Sequence, residues 1–387
     1  MSEMWRVGKH EGVGNVVLER VPLPDISPDQ ALVRTRFSLI SRGSELWNRY
    51  EKQQAVDPSI MGYCTTGVVE QVGAEAGSLF PGDRVTVVAP HAEYSVGSRS
   101  PERAAGRITP LHDLVDFETG TFHPLTTSAN GWTQTAGIAG SDRVVVLGLG
   151  IVGNLILQYA CRYRPAQLIG VDTLEIRRRI ARECVGSGIE VIDASLGDAV
   201  QQVRDLTAGA GATIVIDCVG GRAGVNSFTQ AQEMLAPGGL LQLIGLYHGG
   251  PLPLDASKMM GKRLIGGHPP STRRDVIATR AMHALASGEV NVRPLITHRF
   301  SGHDAKKVFD LICEHPEQAM GVTTNWGQPG SQETVQPHPV APDCNILRFG
   351  HPVAPDCNTM RSGSGSGSVI CWHHATRPMY EEHDDER

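Results

Sequence analysis

The sequence predicts an α/β fold in which a β-rich N-terminal domain precedes a doubly wound parallel sheet. Three observations carry this. Short β-branched runs broken by proline and glycine fill residues 1 to about 125. From Asp142 the texture becomes strand, glycine turn and amphipathic helix, repeated, which calls for a parallel sheet covered on both faces. Glycine reaches 44 of 387 residues, against an average near about 7%, and many of these glycines stand where apolar runs end.

In the first region, strands are expected at Val16–Leu18, Ala31–Phe37, Gly67–Val72 and Arg84–Val88. Pro22, Pro24, Pro28 and Pro81-Gly82-Asp83 punctuate them, because proline removes a ladder donor and glycine admits the turn. In the second region, strands at 143–147, 167–171, 190–192, 213–216, 240–244 and 263–265 alternate with helices at 151–163, 174–184, 197–206 and 224–235. Helices near 274–287 and 304–313 then lead to Gly321-Val322-Thr323. Composition shifts near Gly327. Residues 327–387 hold seven of the 24 prolines, a Ser-Gly run at 362–368 and an acidic end. They show no sustained apolar period, so this low-complexity tail is expected to be disordered. Within it the octet His338–Asn345 recurs at His351–Asn358. Each copy pairs a His with a Cys, which suits a soft metal, although a tail without catalytic role is the plainer reading.

Charge and composition exclude several classes. Lys+Arg minus Asp+Glu is 35 − 41 = −6, and the chain without its tail is −2. A nucleic-acid binder would show a basic face. No run of about 18 apolar residues exists to span a membrane. The first residues, Met1-Ser2-Glu3-Met4-Trp5-Arg6, lack the layout of a secretory signal. None of the eight cysteines forms a Cys-x-x-Cys pair, so reduced thiols in a cytoplasmic location are expected.

The strongest motif is Asp142-Arg-Val-Val-Val-Leu-Gly148-Leu-Gly150-Ile151-Val152-Gly153. It follows a β-branched strand and opens a helix. Its glycines allow a tight turn, close approach of backbone to a pyrophosphate, and tight helix–strand packing. The helix N-terminus adds free N–H groups for the phosphates. Asp172 lies 19 residues after Gly153, where an acid that accepts hydrogen bonds from a ribose is expected. A carboxylate there repels a 2′-phosphate, which favours NAD(H) over NADP(H). Arg177 and Arg178 count the other way, since an arginine beside that ribose can hold a phosphate. Cys218, Val219 and Gly220 end a strand at the carboxyl edge of the sheet, where ligands bind, and Gly245, Gly266 and Gly267 end the next two. With no base beside it to lower its pKa, Cys218 reads as a buried thiol rather than a nucleophile.

With Pro81-Gly-Asp-Arg-Val85, His91-Ala-Glu-Tyr94, the glycine motif with Asp172, and Pro237-Gly-Gly239 in place, residues 1 to about 326 resemble the medium-chain dehydrogenase/reductase superfamily, the zinc-type alcohol dehydrogenases and their relatives. The resemblance implies a GroES-like catalytic domain at 1–125, completed by 271–326. It implies a Rossmann domain at 126–270, with the active site between the two. It also shows where this chain departs. The zinc-dependent pattern Cys-Gly-[Ser/Thr]-Asp-x-His is here Arg42-Gly43-Ser44-Glu45-Leu46-Trp47, and Gly-His-Glu is Gly62-Tyr63-Cys64. The third ligand region reads His123-Pro-Leu-Thr-Thr-Ser128, and four closely spaced cysteines are absent from residues 85–100. A catalytic zinc needs about three N, S or O ligands, so no zinc is expected. The residues Ser41 to Glu45 and Met61 to Gly67 look most like zinc-free members of the superfamily.

Without a metal, another group must stabilise the developing oxyanion. Ser44 matches the family's proton-relay Ser/Thr. Tyr63 stands at a former ligand position, and a phenol with a lowered pKa beside a cation can act as acid or base. Arg42 is the expected cation, or a fork for an anionic substrate; packing for Tyr63 and a pair with Glu45 or another carboxylate for Arg42 are the structural alternatives. His91 and His123 read as structural. His268 and the arginines after Gly267 are candidates to meet an acidic substrate group. The leading function is NAD(H)-dependent hydride transfer between a nicotinamide and a secondary alcohol or ketone. The alternatives are a reductase of activated C=C bonds and a non-catalytic nucleotide-binding protein. Expected partners are a small-molecule substrate and, through the family, a dimeric or tetrameric assembly of copies.

Overall fold

The computed structural model describes residues 2–100, 105–247, 250–267 and 274–327. The expectations for the tail, its His and Cys repeat, and His268 lie outside the described residues. The chain opens with a hairpin, β1 (Glu3–Lys9) and β2 (Val16–Pro22), paired from Glu3↔Pro22 to Lys9↔Val16. Five more strands follow: β3 (Ala31–Ile40), β4 (Thr65–Val72), β5 (Arg84–Val87), β6 (Tyr94–Gly97) and β7 (Ile108–Pro110). Between β3 and β4 stand a single turn, α1 (Arg42–Glu45), and a wider turn at Leu46–Tyr50. The one-turn helix α2 (Phe117–Gly120) begins at Asp116, whose side chain accepts the N–H of Thr119. The longer α3 (His123–Ala136) crosses the expected boundary near residue 125.

The parallel sheet then builds from β8 (Arg143–Leu147), β9 (Gln167–Asp172), β10 (Glu190–Asp193), β11 (Ala212–Asp217), β12 (Leu235–Leu243) and β13 (Arg263–Ile265). Its connecting helices are α4 (Ile151–Arg162), α5 (Glu175–Val185), α6 (Ala199–Leu206), α7 (Gly224–Met234) and the short α8 (Ala256–Met259). The spatial order is β10-β9-β8-β11-β12-β13, a doubly wound arrangement whose order reverses between β8 and β11. Ligands of such sheets bind at that reversal, outside the carboxyl ends of the strands. The chain closes with α9 (Arg274–Ala286), β14 (Ile296–Ser301), α10 (Ala305–Glu314) and β15 (Gly321–Asn325). β15 pairs antiparallel with β3, Val322 opposite Ile40. The first sheet, ordered β14-β15-β3-β4-β5-β7 with β6 also on β3, therefore takes strands from both ends of the described chain.

The expected fold class is the observed one. Val144, Val145 and Val146 are fully buried, as a strand covered on both faces must be. Apolar residues on both faces of this sheet form two clusters, one of which continues through α3 and α9. A separate cluster holds the hairpin, the 46–50 turn and α10 together.

Candidate active site

A cavity of about 1310 Å³ lies against the carboxyl edge of the parallel sheet, walled on its other side by Ser41–Ser44, Trp47, Tyr63 and Met320. The glycine motif builds one end. Gly148 has φ +81°, a left-handed conformation that L side chains avoid, and it turns the chain out of β8. A Cβ on Gly153 would overlap the carbonyl oxygen of Gly148, so only glycine lets α4 start this close to the strand. A Cβ on Gly150 would meet nothing within 4 Å, so here the missing side chain leaves open room at the helix N-terminus. This cradle fits a dinucleotide. Gly148, Gly150, Ile151, Val152, Gly153, Asp172, Arg177, Cys218, Val219, Gly220, Gly245 and Gly267 all reach the cavity wall; Gly266 does not. Burial pushes the Cys218 thiol well up, which keeps it inert.

Asp172 ends β9 and is buried. One carboxylate oxygen accepts the N–H of Leu149 at 2.8 Å, and the other that of Leu174 at 2.8 Å. Arg177 approaches the first at 3.4 Å, while its own buried Nε has no hydrogen-bond partner among the described residues. Arg178 donates to the Asp172 backbone carbonyl at 3.0 Å and pairs with Glu175 and Asp193, leaving the Asp172 carboxylate to Arg177. Arg42 contributes from the opposite wall. Its Nε donates to the Ile312 carbonyl at 3.3 Å, and burial followed by the nearby charge of Arg177 depresses its pKa. Among the described lining residues, Arg42, Arg177, Arg222 and Arg274 face a single carboxylate, Asp172. Such a surplus of positive charge in a cleft draws in an anion.

At the other wall, the Tyr63 hydroxyl donates to Ser41 Oγ and lies 3.2 Å from Ser44 Oγ. Two expectations for Tyr63 need correcting. Its phenol pKa is raised, not lowered, chiefly by burial. The cation at its ring is Arg49, whose guanidinium carbon is 5.8 Å from the ring centroid, rather than Arg42, whose Nε donates to the Ile312 carbonyl. The alternative that pairs Arg42 with Glu45 also fails, since Glu45 bonds His91 and Ser41.

The donor set for a metal is poor. Arg42 and Trp47 offer no ligand lone pair. Cys64 is fully buried, and its thiol is held protonated by burial and the nearby Glu45. His123 Nε2 lies 2.9 Å from the Ala278 carbonyl, and burial lowers its pKa to about 4. No group of three or more His, Cys, Asp or Glu among the described residues could hold an ion. The residues present do not fit a catalytic zinc.

Sequence reading gives Trp47 only as the replacement of a metal ligand and does not single out Tyr247 or Ser227 on the wall, nor Asp217 behind it. Trp47 lies against Gly221 at the end of β11. Tyr247 donates to Asp217 at 2.9 Å, and Ser227 donates to the same carboxylate at 2.7 Å. Burial raises Asp217 to about 6. Asp217 closes a strand at the sheet's carboxyl edge, a usable signal; Tyr247, in a loop beyond the next strand, carried none.

A sequence model described as zinc-binding dehydrogenase matches residues 152–269. Human sorbitol dehydrogenase is 26% identical over 339 residues, covering 78% of this chain and 90% of the relative. Among solved structures, the alcohol dehydrogenase TADH from Thermus sp. ATN1 superposes with a TM-score of 0.71 at 22% identity, covering 83% of this chain and 99% of that one. A putative zinc-binding dehydrogenase from Sinorhizobium meliloti 1021, bound to NADP, gives a TM-score of 0.69 at 22% identity over 84% of this chain and 100% of that one.

Proposed function

We propose that this chain, which belongs to the medium-chain dehydrogenase/reductase superfamily, is an NAD(H)-dependent, zinc-independent oxidoreductase acting on a secondary alcohol or its ketone. The observation that carries the reading is the Tyr63–Ser41–Ser44 hydroxyl set facing the glycine cradle across one cavity. A bound nicotinamide supplies the hydride. The cradle at Gly148–Gly153 and the guanidinium groups of Arg42 and Arg177 hold the dinucleotide phosphates. Asp172 has lone pairs left beyond its two backbone bonds, and these suit ribose hydroxyls better than a second phosphate. Burial keeps the Tyr63 phenol protonated; its O–H, which donates to Ser41, would turn to the ketone oxygen and pass its proton there as that oxygen becomes a hydroxyl. Ser41 and Ser44 would then donate to the phenolate oxygen, which regains its proton from water entering the cavity. In the oxidative direction the transfer reverses.

The substrate is a small molecule. The free cysteines among the described residues suit a reducing compartment such as the cytoplasm. No helix among the described residues is long and apolar enough to cross a membrane. Among the described residues one edge of β13 pairs with no strand, and Leu264 on it and Met260 just before it are 42% and 81% exposed; this supports association of copies, which light scattering would measure.

The test is fluorescence titration with NADH and NADPH, then a panel of secondary alcohols with NAD⁺ and of ketones, cyclohexanone among them, with NADH. Tighter NADH binding and ketone turnover support the reading. Turnover of enones alone would favour a C=C reductase, and binding without turnover a nucleotide-binding protein without catalysis.

A further inference from the structure

Behind the Tyr63–Ser41–Ser44 set lies a polar cluster that hydride transfer does not itself use. Glu45 and His91 are 0% and 1% exposed. Glu45 Oε2 is 2.8 Å from His91 Nε2, and Oε1 accepts the backbone N–H of Ser41 at 2.9 Å. His91 Nδ1 is 2.9 Å from Ser38 Oγ. Ser38 Oγ also accepts the indole N–H of Trp326 at 3.0 Å and lies 2.7 Å from Thr324 Oγ1. Arg49 joins the cluster from the side. One guanidinium nitrogen is 3.8 Å from Glu45 Oε1, while the same group sits over the Tyr63 ring.

Stability does not account for this cluster. A carboxylate taken fully out of water loses more than a buried partner returns, and apolar residues of equal volume commonly do as well or better. Position does account for it. The segment from Ser41 to Tyr50 is one turn of α-helix followed by one wider turn, too short to hold its own shape. Glu45 ties its beginning down, and His91, on the strand side, ties Glu45. Ser41 is thereby fixed at its backbone, and its hydroxyl is the acceptor for Tyr63.

We propose that Glu45 and His91 are positioning residues that fix the Ser41 hydroxyl and, through it, the Tyr63 phenol at the substrate oxygen. The proposal rests on Tyr63 being the proton donor, and the experiment separates the two ideas. The full chain carrying Glu45→Gln, Tyr63→Phe or both is compared with the parent in NADH-dependent reduction of cyclohexanone, or of the fastest ketone in the panel. NADH affinity and thermal midpoint are measured alongside. Glu45→Gln is expected to lower kcat about tenfold while leaving KM and the NADH dissociation constant within about twofold. In the Tyr63→Phe background it should cost nothing further, because the group it positions is gone. His91→Gln, which keeps an N–H for Glu45, should retain more kcat than His91→Leu; this pair carries the test if Glu45→Gln does not fold. Unchanged kcat in Glu45→Gln beside a slow Tyr63→Phe overturns the proposal alone. So do losses that multiply in the double variant. Parent-like turnover in Tyr63→Phe, or no ketone reduced by the parent, overturns the donor reading and this inference with it.

Discussion

His123 should make the protein acid-labile, and the size of the effect follows from its surroundings. The imidazole is 4% exposed at the start of α3, with Nε2 against the Ala278 carbonyl and no acid to stabilise a positive charge. Burial lowers its pKa from 6.5 to about 4. In the unfolded chain the ring gains its proton near 6.5; in the fold it resists until about 4. Neutral His123 therefore contributes stability fully above about pH 6.5, and that contribution drains away as pH falls towards 4. Protonating the unfolded chain near 6.5 but the fold only near 4 sets the loss at about 3 kcal/mol. His123→Gln keeps a side-chain N–H for Ala278 and does not titrate. Urea unfolding of both proteins at pH 7, 6, 5 and 4.5 gives the difference in stability, from which carboxylates common to both cancel. The parent should lose its advantage steadily below pH 6.5, at a slope approaching about 1.4 kcal/mol per pH unit. A difference independent of pH would refute the account of a buried neutral imidazole.

Three substitutions probe the site itself. Tyr63→Phe should cut ketone turnover at least about tenfold with NADH affinity intact, read by steady-state kinetics and fluorescence titration; unchanged turnover would reduce Tyr63 to packing. Asp172→Ala should weaken NADH more than NADPH, moving the ratio of their dissociation constants by about tenfold. Equal loss of both would show that Asp172 serves only the Leu149 and Leu174 amides. Gly153→Ala puts a Cβ into the Gly148 carbonyl. It should cost about 3 kcal/mol in denaturant unfolding together with dinucleotide binding; a parent-like midpoint would show that α4 can back away from β8.

The parallel half of the fold was legible because its signals are local. Runs of β-branched and aliphatic residues mark β8, β9 and β11, the first and last running into glycine turns, and the structure keeps them within a residue or two. The helix α3 was not. His123-Pro-Leu-Thr-Thr-Ser-Ala-Asn-Gly-Trp-Thr-Gln-Thr-Ala is rich in residues that disfavour helices. Yet Thr126, Thr127 and Thr133 turn their hydroxyls back on carbonyls four residues earlier, and burial against α4 and α9 supplies the rest. β15 was likewise hidden, since its partner β3 lies at the far end of the sequence, and β14 pairs only with β15. At the site, all of the residues expected to hold a dinucleotide except Gly266 line the cavity. The catalytic side was read less well. The family resemblance placed Arg42 beside Tyr63 and could not show that Arg42 donates to the Ile312 carbonyl while Arg49 takes the ring. Nor could it show that burial raises the phenol's pKa, because desolvation depends on residues distant in the chain.

The central claim, that hydroxyl groups and not a metal face the substrate oxygen, is tested most directly by the zinc content of the chain ended after Gly327. This removes the His and Cys residues of the tail. Elemental analysis should find well below about 0.1 zinc per chain, in protein that still binds NADH. About one tightly held zinc per chain would contradict the account and return residues 42–64 and His123 to the role of a metal site.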